Sequence, residues 1–415
     1  MTQNQNIFHP LGEMIMQEFD EAFYLDANPD VAEAVRREEW PSGFSHYCVI
    51  GKKTGRVGAR PVDTDWYVQT YPQAAGDIAA GRAASAAEHY HRFGKFRGYL
   101  PSKSERRQDN PAATLSRFGG LWTDVGNALD IVSGRLDVGL ITQEQAAILT
   151  KWVTDGYVVL PGAVPSAVLD DAEAELERAY KGEIPGLRFA VHGVGECCEW
   201  LPDAQRQPAK ALDLHWFSTA ILNLIFTAEV LAFLHLIFER RVLASQTLGF
   251  WRGSAQNAHQ DSAYVNYSLP MQFAASWIAL EDVREGAGEL FYHIGSQRMP
   301  EFLYGREFKG AFEAKRVDPR LDLKADMSRH IELIKAQASG AGLSTERFLA
   351  KRGDILIWSA DLAHGGRPIS ATQTRKSVVT HYCPAELAPA YFEHRPVARI
   401  KPFGGAAFYT TAQYL

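Results

Sequence analysis

At 415 residues the chain is too long for one ordinary small domain, and two or three are expected. Hydrophobic residues make up 46%, ample for a packed core, while a formal net charge of −6 and a pI near 6.1 argue against a nucleic-acid-binding or anionic-membrane-binding protein. Cys48, Cys197, Cys198 and Cys383 show neither zinc spacing nor a disulfide framework, so a reducing, cytoplasmic setting is expected.

The first stretch, MTQNQNIFHPLGEMIMQEF, has no charged segment leading into an apolar run and is not expected to be a signal peptide. Residues 19–56 and 62–99 then align without a gap at a period of 43. Tyr24-Leu25 matches Tyr67-Val68, Pro29 matches Pro72, His46-Tyr47 matches His89-Tyr90, Gly51 matches Gly94 and Gly55 matches Gly98. Each copy reads as helix, turn, helix, loop, short helix and a Gly-terminated turn, a unit that buries its faces against its neighbour. His46, His89 and His91 invite a metal reading. A His-Tyr pair packing each copy is the better account, because metal sites need three or four convergent ligands. The repeat resembles short helical repeats with the pattern Tyr-Leu, Asn-Pro-Asp, His-Tyr, Gly, Gly-Arg, which accompany bacterial glycosyltransferases and other cell-surface polysaccharide proteins. Copy one keeps the pattern in Tyr24-Leu25, Asn28-Pro29-Asp30, His46-Tyr47 and Gly55-Arg56; copy two has Tyr71-Pro72-Gln73 in place of Asn-Pro-Asp. This makes residues 19–100 a candidate surface for docking a protein or a glycan. Lys52-Lys53 and Arg106-Arg107 read as solvated surface.

Residues 101–115 are polar and carry Pro101 and Pro111, which marks a linker. The expected division is a helical repeat domain over 1–104 (copies at about 19–61 and 62–104), a connecting segment over 105–140, and a catalytic domain over 141–415. Thr142 is placed to cap a helix running through Val153, and Tyr157-Val158-Val159-Leu160 reads as a short buried strand stopped by Pro161-Gly162. Residues 166–180 form an amphipathic helix. The most apolar stretch, 221–238, carries Asn223, Thr227, Glu229 and His235, so a buried helix pair broken near Thr227 is expected rather than a membrane span. From 242 onward strand signals dominate: 242–251, 258–265, 272–283, 290–294, 354–358 and 376–382. Many strands with helices mostly ahead of them predict an α+β chain with a double-stranded β-helix, or jelly roll, flanked by helices. Residues 300–351 read as an insertion, a lid or specificity segment.

Within these strands lies His259-Gln260-Asp261, followed by His364 and, eleven residues on, Arg375. Two imidazoles and one carboxylate are the ligand set of a mononuclear non-haem iron(II) centre, covering one face of the metal and leaving the other for oxygen and substrate. On a strand His259 and Asp261 would project to one side and Gln260 to the other. His364 lies just past the strand at 354–358, where Gly365-Gly366 would let the backbone turn tightly. Each histidine alone is most simply a satisfied core residue; the three ligands together with an arginine in strand context are not easily coincidental. A guanidinium inside a barrel without an anion would be an uncompensated charge costing roughly 3–5 kcal/mol, and a bound dicarboxylate removes that cost.

From about Ile141 to Tyr382 the chain resembles the phytanoyl-CoA dioxygenase family of iron(II)/2-oxoglutarate oxygenases. The matching residues are Asp155-Gly156-Tyr157-Val158-Val159-Leu160, Gln246-Thr247-Leu248, Gly253-Ser254-Ala255-Gln256, His259-Gln260-Asp261, Trp277-Ile278-Ala279-Leu280-Glu281-Asp282, Gly288-Glu289-Leu290, Gly295-Ser296-Gln297-Arg298, Gly353-Asp354-Ile355-Leu356-Ile357-Trp358, His364-Gly365-Gly366 and Arg375. Tyr292-His293-Ile294 departs from the family's usual Pro before Gly-Ser. The resemblance implies that His259, Asp261 and His364 bind Fe(II), that Arg375 holds the distal carboxylate of 2-oxoglutarate, and that O2 is the other co-substrate. It also makes Trp277 a co-substrate pocket residue and Gln246 and Gln256 polar contacts. Tyr264 is expected to face the pocket or simply to fill the barrel. Halogenating relatives have Gly or Ala in place of the carboxylate, so Asp261 disfavours halogenation. His293 and His381 read as structural histidines, and Cys197-Cys198 as part of a loop over the active-site mouth. The expected activity is hydroxylation of a small molecule: a sugar, glycolipid or nucleotide-sugar of surface polysaccharide synthesis on the strength of the repeat, or else an acyl thioester or amino-acid-like metabolite. A non-catalytic scaffold docking through the repeats is the alternative of a different class; the four intact site residues argue against it.

Overall fold

The computed structural model of the protein describes residues 19–37, 39–94, 99–102, 114–191, 198–199, 204–265, 267, 269–385, 387 and 400–409. Arg106-Arg107 and the Cys197-Cys198 side chains lie outside the described residues. The chain divides into two units, Met1–Gly119 and Gly120–Leu415.

In the first unit each repeat folds the same way. Copy one gives α1 (Glu21–Ala27), α2 (Pro29–Arg36) and α3 (Gly43–His46), with a π turn over Tyr47–Gly51. Copy two gives α4 (Thr64–Thr70), α5 (Pro72–Ala79) and α6 (Ala86–His89), with a π turn over Tyr90–Gly94. Asp20 and Asp63 cap the first helices by accepting the Phe23 and Trp66 amides, and Ser42 and Ser85 cap the third. Pro29 and Pro72 open the second helices, where a missing N–H is harmless. The repeated His is the partner of the repeated Tyr: Tyr24 Oη lies 2.9 Å from His46 Nδ1, and Tyr67 Oη 3.0 Å from His89 Nδ1. Among the described residues these histidines join no cluster able to hold an ion.

The departure of copy two from the pattern is an exchange of clasps. Arg56 donates to Asn28 Oδ1 at 2.9 Å and forks onto Asp30 at 2.9 and 2.7 Å. At the corresponding positions, the Tyr71 and Tyr99 rings stack at 3.9 Å with 1° between planes, and Tyr99 Oη donates to Gln73 Oε1 at 3.3 Å. An ionic closure of the repeat is replaced by an aromatic one. A Cβ at Gly94 would stand 2.0 Å from the Tyr67 hydroxyl, the same contact that Gly51 would make with Tyr24. Gly94→Ala should therefore cost the repeat about 1–3 kcal/mol through overpacking. The expected readout is faster amide hydrogen exchange over residues 64–94 with the second unit unchanged; unaltered exchange there would show that this contact does not hold the repeat.

The second unit begins inside what the sequence suggests is a connecting segment. Residues 120–140 are not a linker: α7 (Ala128–Asp137) buries Ala128 and Val132, one turn apart, in the main core, and Trp122 Nε1 donates to Leu236 O at 3.0 Å. Then α8 (Gln143–Asp155) starts at Thr142, whose side chain and that of Gln145 form a reciprocal capping box, and stops at Gly156 in the left-handed region (φ 83°). It leads into β1 (Tyr157–Leu160), α9 (Ser166–Tyr180), β2 (Arg188–Val191), β3 (Cys198–Glu199) and β4 (Ala209–Leu212). The apolar stretch forms α10 (Thr219–Ile225) and α11 (Ala228–Phe238), bent 55° apart and buried through Ile221, Leu224, Val230 and Phe233. Among the described residues no single helix is long and apolar enough to cross a membrane.

There follow β5 (Val242–Phe250), β6 (Ala274–Ala279), β7 (Leu290–His293), α12 (Ala311–Val317), α13 (Leu323–Gly340), β8 (Thr345–Phe348), β9 (Ile355–Ser359), β10 (His364–Gly366), β11 (Ser377–Pro384), β12 (Lys401–Phe403) and β13 (Ala406–Phe408). The large sheet runs β1-β9-β6-β11-β5-β4-β2-β3, with the β12–β13 hairpin joined to β5; the small sheet runs β10-β7-β8. Alternation divides the large sheet into two faces. Val158, Ile278, Ile355, Ile357, Val378 and Tyr382 pack with α8 to α11. Tyr157, Trp277, Leu356, Trp358, Val379 and Phe250 pack with Leu290 and Tyr292 of the small sheet. That enclosed inner face is the interior of a jelly roll.

Two expectations need correction. Residues 258–265 are not a strand: His259 makes a single antiparallel bridge with His364, and Asp261–Ala263 is a 3-10 turn. The insertion is also shorter than 300–351, because β8 pairs with β7 from Leu290↔Phe348 to His293↔Thr345 and belongs to the jelly roll. Its Thr-Glu-Arg-Phe sequence is exposed and polar, as an edge strand can be, and so lacks a strand's usual apolar signal.

Candidate metal centre

The bridge between His259 and His364 is reciprocal: the His259 amide donates to His364 O at 2.9 Å and the His364 amide to His259 O at 3.0 Å. It sets the two imidazole centroids 4.4 Å apart. Gly365 and Gly366 do not form a turn; they sit on β10 because there is no room beside them. A Cβ on Gly365 would be 2.7 Å from Gln256 O, and one on Gly366 2.8 Å from Ser254 Oγ. The 3-10 turn after Gln260 swings Asp261 inward, so that Oδ1 lies 3.5 Å from His259 Nε2 and 3.8 Å from His364 Nε2. Among the described residues, His259, Asp261 and His364 are the group whose ligand atoms converge, all within 4.8 Å of one another. The 3.5 and 3.8 Å separations suit atoms that share one ion at bond lengths of about 2.0–2.2 Å.

Each of these three side chains is oriented by its other polar atom. His259 Nδ1 donates to Asn257 O and His364 Nδ1 to Leu362 O, both at 2.9 Å, which leaves the Nε2 lone pairs facing inward. Burial, with repulsion from His259, pushes the His364 imidazole down to about 4 against the attraction of Asp261, so it is neutral at ordinary pH. Asp261 Oδ2 accepts the indole N–H of Trp358 at 2.9 Å and faces His381 Nε2 at 3.5 Å. Burial alone would raise Asp261, but His364, His259 and His381 together hold its carboxyl well below the usual carboxylate range. With Oδ2 held from behind, Oδ1 is the oxygen presented to an ion.

The co-substrate candidates line the same interior. Arg375 is 1% exposed and its Nη1 donates to Gly288 O, yet its Nε is buried with no partner. Trp277 Nε1, equally buried, has none either. The Arg375 guanidinium sits 5.7 Å over both the Trp277 and Phe250 rings. Burial lowers its pKa to about 10 against the attraction of Glu289, so it stays charged. Two orphaned donors beside a buried cation, each left unmet at roughly 1–3 kcal/mol, fit a carboxylate. Gln246, on the inner face of β5, accepts at Oε1 from His381 Nδ1 at 3.2 Å. Tyr264 stands edge-on to His259 at 5.7 Å, and burial, aided by Asp261, raises its hydroxyl pKa. Gln256 contributes by its backbone, its carbonyl accepting the Gly366 amide at 2.9 Å. His293 is structural as expected, bonded to Thr345 Oγ1 at 2.8 Å. His381 is not; it belongs to the carboxylate's surroundings.

Three residues escape sequence reasoning. Trp358 could have been found from strand alternation, which puts it inward beside His364. Lys210 on β4 lies 5.9 Å over the Phe250 ring, opposite Phe250 in register, and the charge of Asp261 reaches it. Asp361 binds Lys309 and has no local signal at all.

Residues 152–377, or 226 of the 415, match the phytanoyl-CoA dioxygenase (PhyH) family. The chain belongs to the phytanoyl-CoA dioxygenase family. It is an iron- and 2-oxoglutarate-dependent oxygenase, and the His-Asp-His group and the orphaned donors at Arg375 fit iron and 2-oxoglutarate. No curated protein matches the sequence. Similar solved structures include the nogalamycin-pathway epimerase SnoN in complex with Fe3+, alpha ketoglutarate and nogalamycin RO (17% identity, 63% of this chain and 93% of that one, TM-score 0.46). Others are HygX of Streptomyces hygroscopicus with nickel and 2-oxoglutarate (18%, 59% and 88%, 0.38) and EctD of S. alaskensis with bound Fe (15%, 59% and 78%, 0.42). The assignment stands on the family match, and these likenesses add no argument to it.

The neutral state of His364 has a pH consequence. Its folded pKa of about 4 lies below the ordinary 6.5, so between these values the unfolded chain takes up a proton that the native chain refuses. Metal-free protein should lose stability as pH falls from about 6.5 to 4, by up to about 1.4 kcal/mol per unit for this group. In urea titrations the His364→Gln variant should show a shallower decline; an identical decline would mean that His364 is not buried neutral.

Proposed function

We propose that His259 Nε2, Asp261 Oδ1 and His364 Nε2 hold iron(II), and that the enzyme hydroxylates a small molecule. The observation that carries this is the convergence of those three atoms beside the unpartnered buried donors of Arg375 and Trp277. When bound, iron and 2-oxoglutarate supply oxygen activation coupled to loss of CO₂ from the keto acid. The chain supplies orientation. Arg375 takes the distal carboxylate of 2-oxoglutarate as a fork, with Trp277 as a further donor. Lys210 offers a second cation across the Phe250 ring, which suits a ligand carrying two carboxylates. Trp358 and His381 hold Oδ2, so Asp261 would bind an ion through Oδ1 alone. The apolar inner face keeps bulk water out. A carboxylate at 261 supports hydroxylation over halogenation.

For the substrate, the repeats support a sugar, glycolipid or nucleotide-sugar of surface polysaccharide synthesis, with residues 19–100 as a docking surface for a protein or glycan. Acyl thioesters and amino-acid-like metabolites are the comparison. Purified full-length protein with Fe(II), ascorbate and 2-oxoglutarate should form succinate above a His364→Ala control, and faster with its substrate class than with the others. No succinate above that control with any class would overturn the reading; stimulation by acyl thioesters alone would overturn the polysaccharide assignment. Arg375→Met should raise the KM for 2-oxoglutarate about 100-fold, the equivalent of two charge-assisted hydrogen bonds. An unchanged KM would remove Arg375 from the co-substrate site.

A further inference from the structure

A second buried polar cluster lies behind the ligands. Lys309 and Asp361 are 3% and 4% exposed, and Lys309 Nζ meets Asp361 Oδ2 at 2.6 Å. Asp361 Oδ1 accepts the Ser262 hydroxyl, and its main-chain oxygen accepts from Gln260 Nε2 at 2.7 Å. Gln260 Oε1 lies 3.1 Å from His330 Nε2, and His330 Nδ1 lies 2.9 Å from the Tyr304 hydroxyl. The His330 ring stacks on Phe302 at 4.7 Å, 9° from parallel. Burial and Lys309 push His330 down to about 4, so it is neutral. Its Nε2–H then donates to Gln260 and its Nδ1 accepts from Tyr304.

The placement of these groups along the chain gives them a common task. Gln260 and Ser262 flank Asp261, and Asp361 stands three residues before His364. One side of the two ligand-bearing segments is joined by the His259–His364 bridge; the other is joined by Asp361. The outer members, Tyr304, Lys309 and His330, all come from the insertion between β7 and β8, His330 from α13. A buried ion pair is a weak source of stability compared with apolar packing, because desolvation offsets the attraction. What it does well is fix geometry, since each partner is intolerable unmet.

We propose that Lys309 and His330 are positioning residues for the metal centre, so that order in the insertion and occupancy of the metal site are coupled. The inference rests on the proposed ligand roles of His259, Asp261 and His364. Coupling is reciprocal by linkage: an ordered insertion tightens metal binding, and bound metal protects the insertion.

Co(II) titration of the full-length protein, followed by its d–d absorption, tests this together with limited proteolysis of residues 300–344. Lys309→Met removes the cation. His330→Phe keeps the ring stack and leaves no buried charge unpaired, so it stands in should Lys309→Met fail to fold. Both variants, at wild-type circular dichroism, should bind Co(II) at least about tenfold more weakly, with an altered d–d band. Co(II) should slow cleavage of the insertion in the wild type and less in the variants. A purely structural role would lower thermal stability and leave the Co(II) affinity and spectrum of the folded protein unchanged, which would overturn the inference. A wild-type chain that binds no Co(II) would overturn the ligand assignment itself, and with it the coupling.

Discussion

The arrangement depends on one antiparallel contact, the reciprocal pair of backbone hydrogen bonds between His259 and His364. More than a hundred residues of chain separate them, and no side-chain attraction accounts for two imidazoles at 4.4 Å. The backbone does it, and only because Gly365 and Gly366 have no Cβ to strike the segment carrying Ser254 and Gln256. Once the bridge is made, a 3-10 turn is enough to bring Asp261 to both rings, and the hydrogen bonds at each Nδ1 aim the remaining lone pairs inward.

The interior so formed sets polar and charged groups among an apolar lining of Trp277, Phe250, Leu356 and Trp358. It contains a carboxylate, imidazoles, a buried guanidinium and Lys210, and it leaves donors of Arg375 and Trp277 unmet. In a domain whose net stability is of order 10 kcal/mol, unmet donors are a substantial burden. Ligands that satisfy them stabilise the native state by mass action. On the proposed assignment, the same groups that weaken the fold would give it affinity for a dicarboxylate and an ion.

Much of this was legible in the sequence, for definite reasons. Strand signals marked β5, β6, β9 and β11, whose two faces are both buried but against different partners. The 43-residue repeat was visible because the Tyr24–His46 and Tyr67–His89 contacts, and the glycines beneath the tyrosines, tolerate little substitution. The His259, Asp261 and His364 group was picked out by residue type and order, and its atoms do converge, although residues 258–265 are not the strand expected: one bridge and a turn place His259 and Asp261 on one side as well as a strand would. What was hidden lacks local pattern. β8 is a polar edge strand; α7 shows little more than Ala128 and Val132; Lys210, Trp358 and the Lys309–Asp361 pair matter through contacts made across the fold, and no short-range periodicity reports those. The replacement of Asn28, Asp30 and Arg56 by Tyr71, Gln73 and Tyr99 is not legible position by position, because the three change as one packed unit.

The most direct test of the metal assignment is anomalous diffraction from crystals of the full-length protein grown without oxygen with Mn(II) and 2-oxoglutarate. The expected result is one anomalous peak bound by His259 Nε2, Asp261 Oδ1 and His364 Nε2, with the distal carboxylate of the co-substrate on Arg375. A metal held by any other residues, or a 2-oxoglutarate that leaves Arg375 unpaired, would contradict it.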